Sequence, residues 1–208
     1  MRITLFGATG MTGREVLDLS LRDGHQVSAL VRDPTAIPRH DNLRVIVGDA
    51  PDPVAVGESL AVADAALSCL GVGGTGDGRP STFVSTATGI ITEQMRQQAV
   101  DRLVVMSNVG ASGSGTWVAR HVVYPLFTRW LVPIIDDKTR MEQTLAASNL
   151  TWTSVRLPDI TTGGPKPPHI SMDGRRLRPW VSVATTARFL LDTVTTGAFP
   201  RQAPAISH

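Results

Sequence analysis

The chain has 208 residues, 42% of them hydrophobic and 18% charged, with a formal net charge of +2. That is the length of one α/β domain spanning residues 1–208, and no apolar run approaches the roughly 20 residues a membrane-spanning helix needs. Basic residues are scattered apart from Arg175, Arg176 and Arg178, which argues against a nucleic-acid partner.

The chain opens on strand-forming residues, Met1 to Phe6, so no signal peptide is expected. Gly7-Ala8-Thr9-Gly10-Met11-Thr12-Gly13 follows, and from Arg14 to Arg22 apolar residues recur at helical spacing. A glycine turn between a strand and a helix is the context for dinucleotide binding. Gly7 permits the tight turn, Gly10 lets the backbone approach a pyrophosphate, and Gly13 lets the helix lie close on the strand. The helix N-terminus offers free N–H groups and partial positive charge to the phosphates.

Asp23-Gly24-His25 ends the helix, and Gln26 to Val31 reads as a second strand ending in Arg32-Asp33-Pro34. An acidic side chain at the end of this strand binds a ribose 2′-OH, whereas an Arg accommodates a 2′-phosphate. Arg32 therefore predicts NADP, and a one-residue shift to Asp33 would reverse the preference. Leu43 to Val47 is a third strand. In the Asp49-Ala50 turn after it, Asp49 either accepts from the adenine amino group or bonds its own backbone.

Pro53 to Leu60 reads as a short helix and Asp64 to Leu70 as a very apolar fourth strand, with Cys69 at its end. As the lone cysteine, Cys69 excludes an internal disulfide and points to a cytoplasmic setting. A glycine run from Gly71 to Gly78 can let the backbone pass near the cofactor. Ser81 to Ala99 is a helix with Val84, Ala87, Ile91 and Met95 on one face.

Leu103 to Met106 is the fifth strand. It ends in Ser107-Asn108, where polar residues face the ligand crevice. Trp117 to Leu131 reads as a helix or lid, and Asp136 to Ser148 as a helix. Thr151 to Val155 is the sixth strand, followed by Pro158 and Asp159. Met172-Asp173-Gly174-Arg175 is a hairpin turn signal, Ser182 caps a last helix, and the tail after Pro200 reads as loosely held.

These elements predict a Rossmann-type, doubly wound parallel sheet with helices on both faces and a small C-terminal substrate side. The chain also resembles the atypical short-chain dehydrogenase/reductases, and within them the biliverdin reductase B, or flavin reductase (NADPH), group. The resemblance rests on the glycine turn, Leu30-Val31-Arg32-Asp33, Val47-Gly48-Asp49, Asp136 to Met141 and Met172 to Arg175. It implies a monomer or weak dimer that reduces flavins or linear tetrapyrroles with NADPH. Cofactor contacts are expected from Gly7, Thr9, Gly10, Met11, Thr12, Gly13, Arg32, Asp49, Ala50, Leu70, Gly71, Lys138 and Pro158, with no metal.

Departures bear on the substrate. The group's substrate-site serine falls on Asn108, beside Ser107, its active-site histidine on Asp159, and a second Arg near the 2′-phosphate on Ala36. The sole tyrosine, Tyr124, is followed by Pro125 and has Thr128 where a Tyr-x-x-x-Lys pair needs lysine. Reduction of a simple ketone needs a positioned acid. A flavin or similar conjugated ring accepts hydride without one, so the expected acceptor is such a ring, near Ser107, Asn108 and Asp159. Asp159 is a proton relay if buried and an ionised loop carboxylate if not. Lys138 either reaches the nicotinamide ribose or is solvated, and Trp117 and Trp180 either wall the pocket or pack in the core. The rival expectations are a catalytically weak NADP(H)-binding redox sensor acting through a partner, and an epimerase-like enzyme.

Overall fold

The computed structural model describes residues 1–72, 79–115 and 129–208. Among them the chain runs β1 (Arg2–Phe6), α1 (Met11–Arg22), β2 (Gln26–Val31), β3 (Leu43–Val47), α2 (Pro53–Leu60), β4 (Ala65–Ser68), α3 (Phe83–Gln97) and β5 (Arg102–Asn108). It continues with α4 (Val132–Ala147), β6 (Thr151–Leu157), β7 (Asp159–Thr161), β8 (His169–Ser171), β9 (Trp180–Ser182), α5 (Val183–Thr196) and β10 (Ala205–Ser207). None of these helices is long and apolar enough to cross a membrane.

The main sheet has the order β3-β2-β1-β4-β5-β6-β10-β8, parallel except where β8 meets β10. The period-2 alternation of strand side chains divides its core into two layers. Ile3, Leu5, Val27, Ala29, Leu67 and Val104 pack with Val16 and Leu17 of α1 and Leu190, Leu191 and Val194 of α5. Phe6, Leu30, Ala66, Leu103 and Val105 point the other way, onto Val56 and Leu60 of α2, Ile91 and Met95 of α3, and Met141 and Leu145 of α4. This is the Rossmann-type arrangement, and strand order reverses between β1 and β4, where a crevice opens beyond the strands' carboxyl ends.

Two expectations need correction. Met172 to Arg175 forms a turn, with Asp173 accepting from the Ser171 hydroxyl and the Arg175 N–H, but no hairpin results. β8 pairs antiparallel with β10, and β9 pairs parallel with β7 in a separate two-stranded sheet. The tail is also not loose. β10 lies between β6 and β8 with Ala205, Ile206 and Ser207 fully buried, because it completes the sheet edge that β6 would otherwise leave unpaired. Ser182 does cap α5, accepting from the Thr185 N–H.

Ile206→Ala should therefore destabilise the fold by about 2–5 kcal/mol, the cost of a buried large-to-small substitution. Chemical denaturation measures it, and a loss under about 1 kcal/mol would mean that β10 detaches easily.

Candidate functional site: the crevice between β1 and β4

The glycine turn is packed from two sides. Gly7 has a left-handed backbone (φ +78°), and a Cβ there would sit 2.8 Å from the Cys69 carbonyl oxygen at the end of β4. A Cβ on Gly13 would collide with the Gly7 carbonyl oxygen. Gly10 differs, since the nearest protein atom to a Cβ there would be the Gly7 oxygen at 3.5 Å, an ordinary contact. Nothing in the fold forbids a side chain at Gly10, and the space it faces is cavity.

That space has two connected parts. The first, about 460 Å³, runs from Gly7, Thr9 and Gly10 past Arg32, Asp49 and Ala50 to Leu70, Gly71 and Phe83. The second, about 660 Å³, shares Gly10, Cys69, Leu70, Gly71 and Val72 and continues over Met11 and Thr12 to Ser107, Asn108, Lys138, Pro158 and Asp159. Every residue expected to contact the cofactor, with Ser107, Asn108 and Asp159, lies on one or both linings except Gly13, whose place is behind the turn.

The residues present fit a dinucleotide. Helix α1 has no side-chain cap and no acidic residue in its first turn. Its first N–H groups therefore keep their partial positive charge for an anion. The N-termini of α2, α3 and α5 are occupied instead, by Asp52, Asp137 and Ser182. Arg32 is exposed on the first cavity's rim. Asp33 turns back on the chain, its carboxylate accepting from the Thr35 N–H (2.9 Å) and hydroxyl (2.7 Å), which hold its pKa below the usual carboxylate value. Asp49 accepts from the N–H of Ala50 at 2.8 Å, the turn-forming arrangement, while still lining the cavity.

Lys138 departs most from the surface lysine that sequence leaves open. It is 5% exposed, and its ammonium donates to the carbonyls of Leu70 (2.9 Å), just past β4, and of Met106 (2.7 Å), near the end of β5. Burial lowers its pKa to about 8, against the pull of Asp137, Cys69 and Glu142. Two carbonyls leave one of its three N–H donors for the cavity. Beside it, burial pushes the Cys69 thiol up to about 12, so it stays neutral.

Ser107 is 2% exposed, and its hydroxyl makes no hydrogen bond of normal geometry among the described residues, though it is close enough to Glu142 to help keep that carboxylate ionised. Burial alone would raise the pKa of Glu142. Arg156, bonding both carboxylate oxygens at 3.0 and 2.6 Å, pulls it below the ordinary value. Asn108 is half-buried at the end of β5, and Asp159 is exposed on the rim at the start of β7. The burial that a relay role for Asp159 requires is absent.

Trp180 is 48% exposed on β9, off this lining, and Trp117 and Tyr124 lie outside the described residues. Trp130, Leu131 and Ile134 line the second cavity instead. The available signal was Pro133, which suits the first turn of a helix and would have started α4 upstream of Asp136. That start puts Ile134 and Lys138 one turn apart on the same face.

A doubly wound sheet with an uncapped glycine turn at its switch point defines a nicotinamide-dinucleotide-binding protein. The chain belongs to the NAD(P)H-binding family, whose pattern matches residues 7–196. Over 121 residues it is 35% identical to a 3-diazoavenalumate denitrifying reductase of a Streptomyces species, taking in 51% of this chain but only 38% of that protein. The fold superposes on a wide-type short-chain dehydrogenase/reductase of Veillonella parvula in complex with NADP (TM-score 0.83, 16% identity, 100% of this chain and 94% of the other). It also superposes on ChuY, an anaerobillin reductase of Escherichia coli O157:H7 (TM-score 0.82, 20% identity, 100% and 97%).

Two substitutions separate binding from folding. Gly10→Val should leave the fold intact and abolish dinucleotide binding by calorimetry. Gly13→Ala should lower thermal stability, because α1 must move off β1 to admit the methyl. A Gly10→Val protein that binds NADPH normally would place the cofactor elsewhere.

Proposed function

We propose that the protein is an NADPH-dependent oxidoreductase that reduces a flavin or similar flat conjugated acceptor. The observation that carries this reading is the second cavity. It continues directly from the glycine turn, is floored by apolar side chains, and holds one buried ammonium and one buried hydroxyl, that of Ser107. The reductase relative of the Streptomyces species and the likeness to ChuY support the reaction class. The lone free cysteine supports a cytoplasmic setting, and a monomer or weak dimer belongs to the same reading.

The division of labour follows from the residues. The first turn of α1 binds the pyrophosphate through its N–H groups, and Arg32 takes the 2′-phosphate. With Asp33 bonded to Thr35, no carboxylate at this strand end competes for a ribose 2′-OH. When bound, the nicotinamide supplies the hydride. Trp130, half-exposed, gives a ring to stack on, and Met106, Leu131, Ile134 and Ile160 keep water from the acceptor's face. The Ser107 hydroxyl bonds a polar atom of the acceptor, and Lys138 Nζ delivers the proton that completes its reduction, to be reloaded from solvent. No Tyr-x-x-x-Lys pair is required.

Calorimetry should show tighter binding of NADP(H) than NAD(H), by tenfold or more, from a charge-assisted contact of about 1.5–3 kcal/mol. Arg32→Ala should remove most of the difference, and equal affinities in the unmutated protein would contradict the NADP assignment.

Anaerobic NADPH oxidation with a panel of flavins, quinones and tetrapyrroles tests the reaction. Its kcat should fall as pH rises through about 8, where the Lys138 ammonium loses its proton. Because a conjugated ring takes hydride without a dedicated acid, Lys138→Arg should lower kcat by less than the roughly 10²–10⁴-fold that loss of a general acid costs, and should erase that fall. Asp159→Asn should lower kcat by much less. The opposite ranking would make Asp159 the proton source, and tight NADPH binding without any acceptor would favour the sensor.

A further inference from the structure

Helix α3 starts at Phe83, on the first cavity's lining, yet its own N-cap residue, Thr82, makes no side-chain cap. The Ser81 hydroxyl accepts from the Phe83 N–H (3.2 Å), and the next two N–H groups are capped from α4. Asp137, 2% exposed, accepts from the N–H groups of Val84 (2.9 Å) and Ser85 (3.2 Å). Arg140, one turn on, pairs with Asp137 at 3.5 Å and donates to the Ser81 carbonyl at 2.6 Å, closing the same junction. Lys138, the next residue after Asp137, is fastened to the ends of β4 and β5. The buried Asp137 carboxylate, held by two backbone N–H groups and by Arg140, therefore joins the start of α3 to α4.

From this geometry we infer that Asp137 is a positioning residue for the cofactor's adenosine half. It acts through α3 and holds Phe83 against the first cavity, at the Leu70 to Val72 wall that Lys138 anchors from the other side. The inference rests on the cofactor placement proposed above. A local cap would stabilise α3 equally well. A cap reaching across from α4 adds, to the apolar packing of α3 on α4, a polar tie between the adenosine wall and the helix that floors the acceptor cavity with Ile134 and Lys138.

The test uses a fragment for each half of the cofactor, adenosine 2′,5′-bisphosphate by calorimetry and nicotinamide mononucleotide by NMR titration. Asp137→Asn keeps the side chain's size and exchanges one acceptor oxygen for a donor group. It should weaken the adenosine fragment by up to about fivefold, the bound reached if the whole free energy of one helix cap is coupled to binding, and leave the nicotinamide fragment within twofold. Arg140→Gln, at an exposed position, should shift the adenosine fragment the same way by a smaller factor, and serves if the Asn variant does not fold. Equal weakening of both fragments, or no change in either, would overturn the inference and leave Asp137 a structural cap. Failure of the unmutated protein to bind the adenosine fragment at all would overturn the cofactor placement as well.

Discussion

The site depends on one close approach, that of Gly13 to the Gly7 carbonyl. Because residue 13 has no side chain, α1 lies directly on the turn that ends β1. Because Gly7 takes a left-handed conformation, that turn in turn presses on the end of β4. The N-terminus of α1 is thereby held at the point where strand order reverses, with its dipole, about half a unit charge, directed into the crevice. Two glycines shape the turn for reasons internal to the fold. Gly10 is the one whose missing side chain leaves open cavity instead of relieving a clash with the protein.

Three charged residues of α4 set the other wall. Asp137 holds the start of α3, Lys138 the ends of β4 and β5, and Glu142 the Ser154 hydroxyl and Arg156 guanidinium of β6. Each is at most 5% exposed, and each has its partners. Buried charges with partners removed are strongly destabilising, so loss of any one of these partners would disturb this wall. The result here is a lysine without the hydration shell that normally keeps its proton bound, at the border of a mostly apolar cavity.

The lining of the first cavity was legible in the sequence because its signals are local. A glycine spacing, an Arg at a strand end and apolar periodicity each report on a few neighbouring residues, and the Rossmann-type order follows from their succession. The lining of the second cavity was less so. Lys138 reads equally as a ribose contact or a solvated lysine, and only tertiary contacts reveal that Asp137, Lys138 and Glu142 are buried against α3, β5 and β6. β10 was missed because three residues after a proline carry no periodicity, and β7 with β9 because their pairing joins residues about 20 apart across a turn signal that suggests something else.

The central claim is that the N-terminus of α1 receives the cofactor's phosphates. The most direct measurement is a ¹⁵N NMR titration with NADPH, following backbone amides. The account predicts that the largest shifts fall on Met11, Thr12 and Gly13. At the opposite, amino-terminal ends of the strands lies a cleft of about 230 Å³ that also carries two arginines, Arg2 and Arg44. Dominant shifts there, with the glycine turn unmoved, would contradict it.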